Sequence, residues 1–169
     1  GFGMGGDETV GTQGDYAHSF DFAREAGLKL TTHAGEWGGA ESVRQAITDL
    51  NVERLGHGVQ VIEDPALVQE VIERSITLEV CPGSNVALSI FPNIKSHPIA
   101  SLREKGVKVT ISTDDPPFFH TTMCREYELL TDAFNWGDGD FEELNRTAIN
   151  AAFCSDKTKV RLLKELETE

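Results

Sequence analysis

Four short clusters gather the side chains with acid–base and metal-binding chemistry. They are Thr32-His33-Ala34-Gly35-Glu36, Gly56-His57-Gly58, Cys81-Pro82-Gly83-Ser84-Asn85 and Ser112-Thr113-Asp114-Asp115-Pro116. Histidine and aspartate are good ligands for a catalytic divalent metal such as zinc, which keeps one position open for water. Such a metal lowers the pKa of its water from about 15.7 to about 7, so hydroxide is available at neutral pH. A second histidine can orient or deprotonate that water, and a carboxylic acid can protonate the substrate. The adjacent carboxylates of Asp114 and Asp115 suit a division of labour, one on the metal and one accepting a substrate hydrogen bond. Spacing alone does not say which does which. Singly, each residue also has a structural reading: His57 as a turn residue, Asp114-Asp115-Pro116 as a helix cap, Glu36 as a solvated side chain.

The elements around these clusters give them a common logic. Leu28–Thr32 reads as a strand, followed after a glycine pair by a helix over 40–50. Arg54-Leu55-Gly56 is a shorter strand signal. Behind it, Asp64 caps and Pro65 opens a helix over 66–74, with Leu67, Val71 and Ile72 at helical spacing. Ile76–Val80 and Val107–Ser112 read as further strands, separated by a helix over 98–105 that Gly106 stops. Gly1–Met4 reads as the end of another strand, leading through a polar loop to a helix over 15–26. Beyond Ser112 the pattern is helical over 121–134, 141–153 and 156–167, with Gly137–Asp140 as a turn and Ser155-Asp156 as a cap. Strands alternating with helices predict βαβ units and a parallel sheet. In such folds ligands bind at the carboxyl ends of strands, and each of the four clusters directly follows a strand. Their convergence on one pocket is the expectation.

Composition narrows the class of partner. The 169 residues carry 15 basic and 28 acidic side chains, a formal charge of −13. A surface this acidic repels phosphate, which disfavours nucleic acid and anionic membranes. No apolar run approaches the ~18 residues of a membrane span. Cys81, Cys124 and Cys154 are too scattered for a disulfide framework and read as reduced thiols of a cytoplasmic protein. The start, Gly-Phe-Gly-Met-Gly-Gly without an initiator Met, reads as a piece of something longer.

In this order, His33-Ala34-Gly35-Glu36, Gly56-His57-Gly58, Cys81 to Asn85 and Ser112 to Pro116 resemble the motifs of adenosine deaminases in the metal-dependent amidohydrolase superfamily. Gly6-Asp7-Glu8 is similar to that family's purine-contacting loop. The resemblance spans nearly the whole chain and implies a (β/α)8 barrel with one catalytic zinc per site. His33 and Asp114 would then be zinc ligands, Glu36 the acid that protonates the purine ring nitrogen, and His57 the group that orients the attacking water. Asp115 would bond the imidazole-ring edge of the purine, and the Gly6 amide the pyrimidine-ring edge. Ser84 and Asn85 would support the site from behind. The family's His-x-His pair, two further zinc ligands on its first strand, has no counterpart here. His18 falls in a helix, His97 precedes Pro98, and His120 lies in the loop after Asp115.

A complete barrel takes about 250 residues. The fold class expected is therefore α/β: the C-terminal half of a (β/α)8 TIM-type barrel, strands 5–8 with the end of strand 4, plus extra C-terminal helices. It would form a single domain over 1–169 that needs an N-terminal half to complete the site. The implied activity of the full-length protein is zinc-dependent deamination of adenosine or deoxyadenosine, a small purine nucleoside, to inosine or deoxyinosine. A deaminase of free adenine or another aminopurine is the alternative within the superfamily, with Gly6-Asp7-Glu8 favouring the nucleoside. A non-catalytic fragment or assembly module is the alternative of another class.

Overall fold

The structure, a computed structural model, describes residues 1–168 of the chain. In chain order the strands are β1 (Phe2–Met4), β2 (Leu30–Ala34), β3 (Arg54–His57), β4 (Thr77–Val80) and β5 (Lys108–Ile111). The helices are α1 (Ala17–Glu25), α2 (Gly39–Gln45), α3 (Pro65–Glu73), α4 (Pro82–Ala87), α5 (Ile99–Glu104), α6 (Pro116–Phe119), α7 (Met123–Phe134), α8 (Asp138–Ala151) and α9 (Asp156–Leu166). The chain forms two compact units. One comprises Gly1–Val80 with Pro98–Lys108; the other comprises Cys81–His97 and the chain from Val109 onward.

In the first unit β1 to β4 are parallel neighbours, with Gly3 opposite Thr31, His33 opposite Gly56 and Leu55 opposite Leu78. Alternation along β2 buries Leu30, Thr32 and Ala34 and leaves Thr31 and His33 half-buried on the other face. That second face is polar. The Thr31 hydroxyl donates to Glu79 at 2.9 Å, and Arg54 Nε meets the other Glu79 oxygen at 3.2 Å. The apolar face packs Leu30, Ala34, Leu55 and Leu78 with Val43, Ile47, Leu67, Val71 and Leu102 from the helical segments, each at most 1% exposed. This layer is the unit's core and the floor on which the strand-end residues stand.

The second unit is mainly helical. Leu130, Phe141 and Leu144 are its buried anchors, and Tyr127 stacks on Phe141 with ring centroids 4.3 Å apart. The Tyr127 hydroxyl also donates to Asn145 Oδ1 at 2.6 Å, tying α7 to α8.

The observed elements follow the expected β–α alternation, with three local differences. First, β2 starts at Leu30 and extends through His33 and Ala34, because their amides and carbonyls lie in register with β3. Second, Pro82–Ala87, assigned no element from sequence, is a helix; proline is favoured in a first helical turn, where its missing N–H costs nothing. Third, α8 begins at Asp138, so most of the expected Gly137–Asp140 turn is helical. Asp138 and Asp140 suit a helix N-terminus, and the Gly137 amide donates to Asp140 Oδ2 at 3.0 Å. Among the described residues no helix is long and apolar enough to cross a membrane.

Asp64 does cap α3, accepting the amides of Ala66 and Leu67, and it also pairs with Arg44. The Leu67 amide, helped by that of Ala66 and by Arg44 against some desolvation, holds the Asp64 carboxyl below its usual range. A lowered folded pKa gives stability that is present above the unfolded pKa and lost as pH falls through the folded one. Asp64→Ala should therefore lower the melting temperature at pH 7, and the gap from wild type should close as the pH drops below the carboxylate range. A gap that stays constant in thermal melts down to pH 3 would refute this.

Candidate active site

His33 stands near the carboxyl end of β2, and its imidazole fits because its neighbours lack side chains. A Cβ on Gly56, its partner on β3, would lie 2.5 Å from His33 Cδ2. A Cβ on Gly5, just beyond β1, would lie 3.2 Å from His33 Cε1. Real Cβ atoms do not tolerate the first approach, so Gly56 is needed for room alone. Behind the strand, the buried Gln13 side chain donates to the His33 carbonyl at 2.9 Å and accepts from Thr32 Oγ1 at 3.2 Å. Among the described residues, neither ring nitrogen of His33 has a hydrogen-bond partner.

His57 ends β3. Alternation alone would put it on the face of Leu55, away from His33. Its backbone is instead left-handed (φ 61°), and Gly58 continues so (φ 70°). This breaks the alternation, and the His57 ring comes to stand edge-on to His33, centroids 4.9 Å apart at 87°. A non-glycine residue in that region is uncommon and is characteristic of functional sites. The turn is held by the Gly58 amide donating to the Ala34 carbonyl at 3.0 Å and the Gln60 amide to the Gly35 carbonyl at 2.9 Å. His57 is 2% exposed, and its Nε2 lies 3.3 Å from Glu36 Oε2.

Glu36, also buried, sits in the loop between β2 and α2. The loop turns on Gly35 (φ 75°), where a Cβ would strike Val43 Cγ2 at 2.5 Å. Ligand-type atoms of His33, Glu36 and His57 all lie within 4.8 Å of one another. Two imidazoles and a carboxylate are a donor set of the kind that holds zinc or lines its site, so the residues present fit a metal. Gly6 and His33 line one cavity of about 490 Å³, together with Met4, Gly5, Glu8 and Tyr16.

In the second unit, the Ser84 hydroxyl donates to Asp114 Oδ2 at 2.6 Å, so this serine orients the aspartate. Asp114, like His57, has a left-handed backbone (φ 57°). Asn85 is fully buried, and its Oδ1 accepts from His97 Nε2 at 3.1 Å. Asp115 precedes α6 with its side chain exposed. His120 ends that helix in a left-handed conformation (φ 49°), and His18 lies within α1. The buried Glu126 accepts the Gly83 amide at 2.9 Å and the Thr121 hydroxyl at 2.6 Å, bracing the turn that carries Ser84.

Residues 1–169 match the model of the family described as adenosine deaminase. The chain belongs to the adenosine deaminase family. A protein of Rhizobium leguminosarum bv. trifolii named adenine deaminase is 51% identical over 166 residues, covering 98% of this chain and 52% of that protein. The crystal structure of adenine deaminase from Arthrobacter aurescens superposes with a TM-score of 0.95 at 31% identity, over 99% of this chain and 51% of that one. An amidohydrolase structure from Burkholderia ambifaria, solved with bound Zn, superposes with a TM-score of 0.88 at 27% identity, over 98% and 46%. The chain thus spans about half the length of the relatives it matches, as half of a barrel should. These deaminase relatives carry the α/β fold expected from the strand–helix rhythm.

The family membership agrees with the motifs, but the names of the relatives favour the adenine alternative over the nucleoside expected from Gly6-Asp7-Glu8. Asp7 Oδ1 is occupied by the Thr9 amide (2.9 Å) and hydroxyl (2.6 Å), and Glu8 is occupied by the amides of residues 35–38. Glu8 is thus engaged within the protein through both carboxylate oxygens. Sequence reasoning also missed Gln13 and Glu126, whose partners lie 20 and 43 residues away with no motif to mark them.

Gly56→Ala should destabilise the fold by about 1–3 kcal/mol through overpacking against the imidazole. Because the clash is with one side chain, His33→Ala should relieve most of that cost in the double variant. Additive losses in a denaturant double-mutant cycle would refute the glycine slot.

Proposed function

We propose that the protein carrying this chain hydrolyses a 6-aminopurine, with free adenine as substrate, to the 6-oxopurine and ammonia. The grouping of His33, Glu36 and His57 within 4.8 Å supports the chemistry. The choice of adenine rests on the names of the relatives at 51% and 31% identity. The net charge of −13 suits a small neutral substrate and disfavours nucleic acid and anionic membranes as partners. Purine salvage in the cytoplasm is the setting this implies.

In this reading His33 and Asp114 are zinc ligands, with the remaining ligands supplied from outside this chain's sequence. One zinc per site, when bound, supplies a water acidified to near neutral pH and Lewis-acid polarisation. Ser84 fixes the Asp114 carboxylate through the 2.6 Å hydrogen bond, and Asn85 with His97 stiffens the segment beside it. His57 takes the proton of the attacking water, while Glu36 donates a proton to the ring nitrogen next to the carbon under attack. Water oxygen bonds to that carbon, giving a tetrahedral adduct. The amine then takes the proton held by His57 and leaves as ammonia as its carbon–nitrogen bond breaks. The hydroxyl proton of the adduct is lost by way of His57 to Glu36, which leaves the 6-oxopurine and restores both groups. The 3.3 Å contact between His57 Nε2 and Glu36 Oε2 gives a route by which protons are shared between base and acid. Asp115 and the Gly6 amide hold the two edges of the purine.

Turnover of adenine and adenosine by the zinc-loaded full-length protein tests the assignment. Adenine should be the better substrate in kcat/KM, and Glu36→Gln should lower kcat by about 10²–10⁴-fold with zinc retained. Equal or better turnover of adenosine would overturn the choice of adenine, and full activity in Glu36→Gln would overturn the role of Glu36.

A further inference from the structure

We infer that Glu8 is a positioning residue for Glu36, holding the proton-donating loop in place by accepting its backbone amides; the inference rests on the deaminase reading for what Glu36 does. Glu8 Oε2 accepts the amides of Gly35 (3.0 Å), Trp37 (3.3 Å) and Gly38 (2.8 Å), and Oε1 accepts that of Glu36 (3.1 Å). Ser42 Oγ adds a fifth donor at 3.1 Å and itself accepts the Gly35 amide at 2.7 Å. Successive N–H groups converging on one carboxylate form an anion-binding concavity, here filled from within the protein. A carboxylate accepting several amides makes charge-assisted bonds about twice as strong as neutral ones.

The loop needs this brace. Gly35, Gly38 and Gly39 leave it with little conformational restraint of its own, and Gly35 and Gly39 both have left-handed backbone (φ 75° and 67°). Room for the brace is built in, since a Cβ on Gly38 would lie 2.9 Å from Glu8 Oε2. Glu36 is thereby fixed at two points: its own amide bonds Glu8, and its carboxylate meets His57 at 3.3 Å. Glu8 also follows Gly6 by two residues, so the same carboxylate ties the segment assigned to the purine edge to the loop that delivers the proton. A misplacement of about 1 Å in a reacting group costs up to about 10²-fold in rate.

The test uses the zinc-loaded full-length protein and Glu8→Gln, which keeps the length of the side chain but turns an NH₂ toward amide donors. The expected result is a kcat on adenine lower by about 10–100-fold, with KM within about 3-fold and zinc content unchanged. Amide hydrogen exchange over residues 35–38 should be at least about 10-fold faster, with the rest of the protein unaffected. Glu41→Gln, which removes an equal charge from an exposed site on α2, should leave both readouts unchanged. Unchanged exchange at 35–38 in Glu8→Gln overturns the inference. So does faster exchange with wild-type kcat, or a loss of activity matched by a loss of zinc. If the wild type turns over no aminopurine, the deaminase reading fails, and exchange alone decides whether Glu8 holds the loop. Should Glu8→Gln not fold, Ser42→Ala carries the same readouts and overturns the inference if neither moves.

Discussion

The site in the first unit depends on where the His33 imidazole is allowed to sit. A five-membered ring on an inner strand of a parallel sheet needs space that neighbouring side chains would ordinarily fill. Here Gly56 on one flank and Gly5 on the other leave that space open. The cost is the weaker propensity and larger folding entropy of glycine in a strand. The return is a ring whose nitrogens bond no other described residue, on the half-buried face of β2 and backed by Gln13. Once His33 is placed, the left-handed turn at His57 has a surface to pack against. Glu36 then has a partner in His57.

A second theme is the use of acids as internal braces. The excess of acidic residues suggests a repulsive surface, yet several carboxylates work inward. Glu8 gathers the amides after β2, and Glu126 holds the Gly83 amide after β4. Asp64 closes the first turn of α3. In each case a loop rich in glycine or proline gains order from a side chain distant in sequence or just ahead of it. Loops can remain short and open at the strand ends, where substrates bind, because their amides are satisfied from below.

What could be read from the sequence follows from the range of the interactions. The strands, the Asp64-Pro65 start of α3 and the strand-end placement of His33, Glu36 and His57 are local signals, and the structure carries them. The helix Pro82–Ala87 carries no clear signal because glycine and serine are weak helix formers, and the Glu126 contact that braces it comes from 43 residues away. The start of α8 at Asp138 was hidden because two glycines outweighed the acidic first turn that favours a helix. The role of Glu8 was obscured by its own motif. Gly6-Asp7-Glu8 reads as a ligand loop, and the coordinates show both Glu8 oxygens accepting amides from residues 35–38. In sequence Gly56 reads as the end of a strand and Gly5 as the start of a loop, and their function as a slot is visible only against the ring they admit.

The most direct measurement is anomalous diffraction at the zinc edge on crystals of the full-length protein. An ion within about 2.0–2.1 Å of a His33 ring nitrogen is expected, with the imidazole still between Gly5 and Gly56 and with Asp114 among the ligands. An ion bound elsewhere, or a His33 ring turned out of the glycine slot, would contradict the assignment of this site.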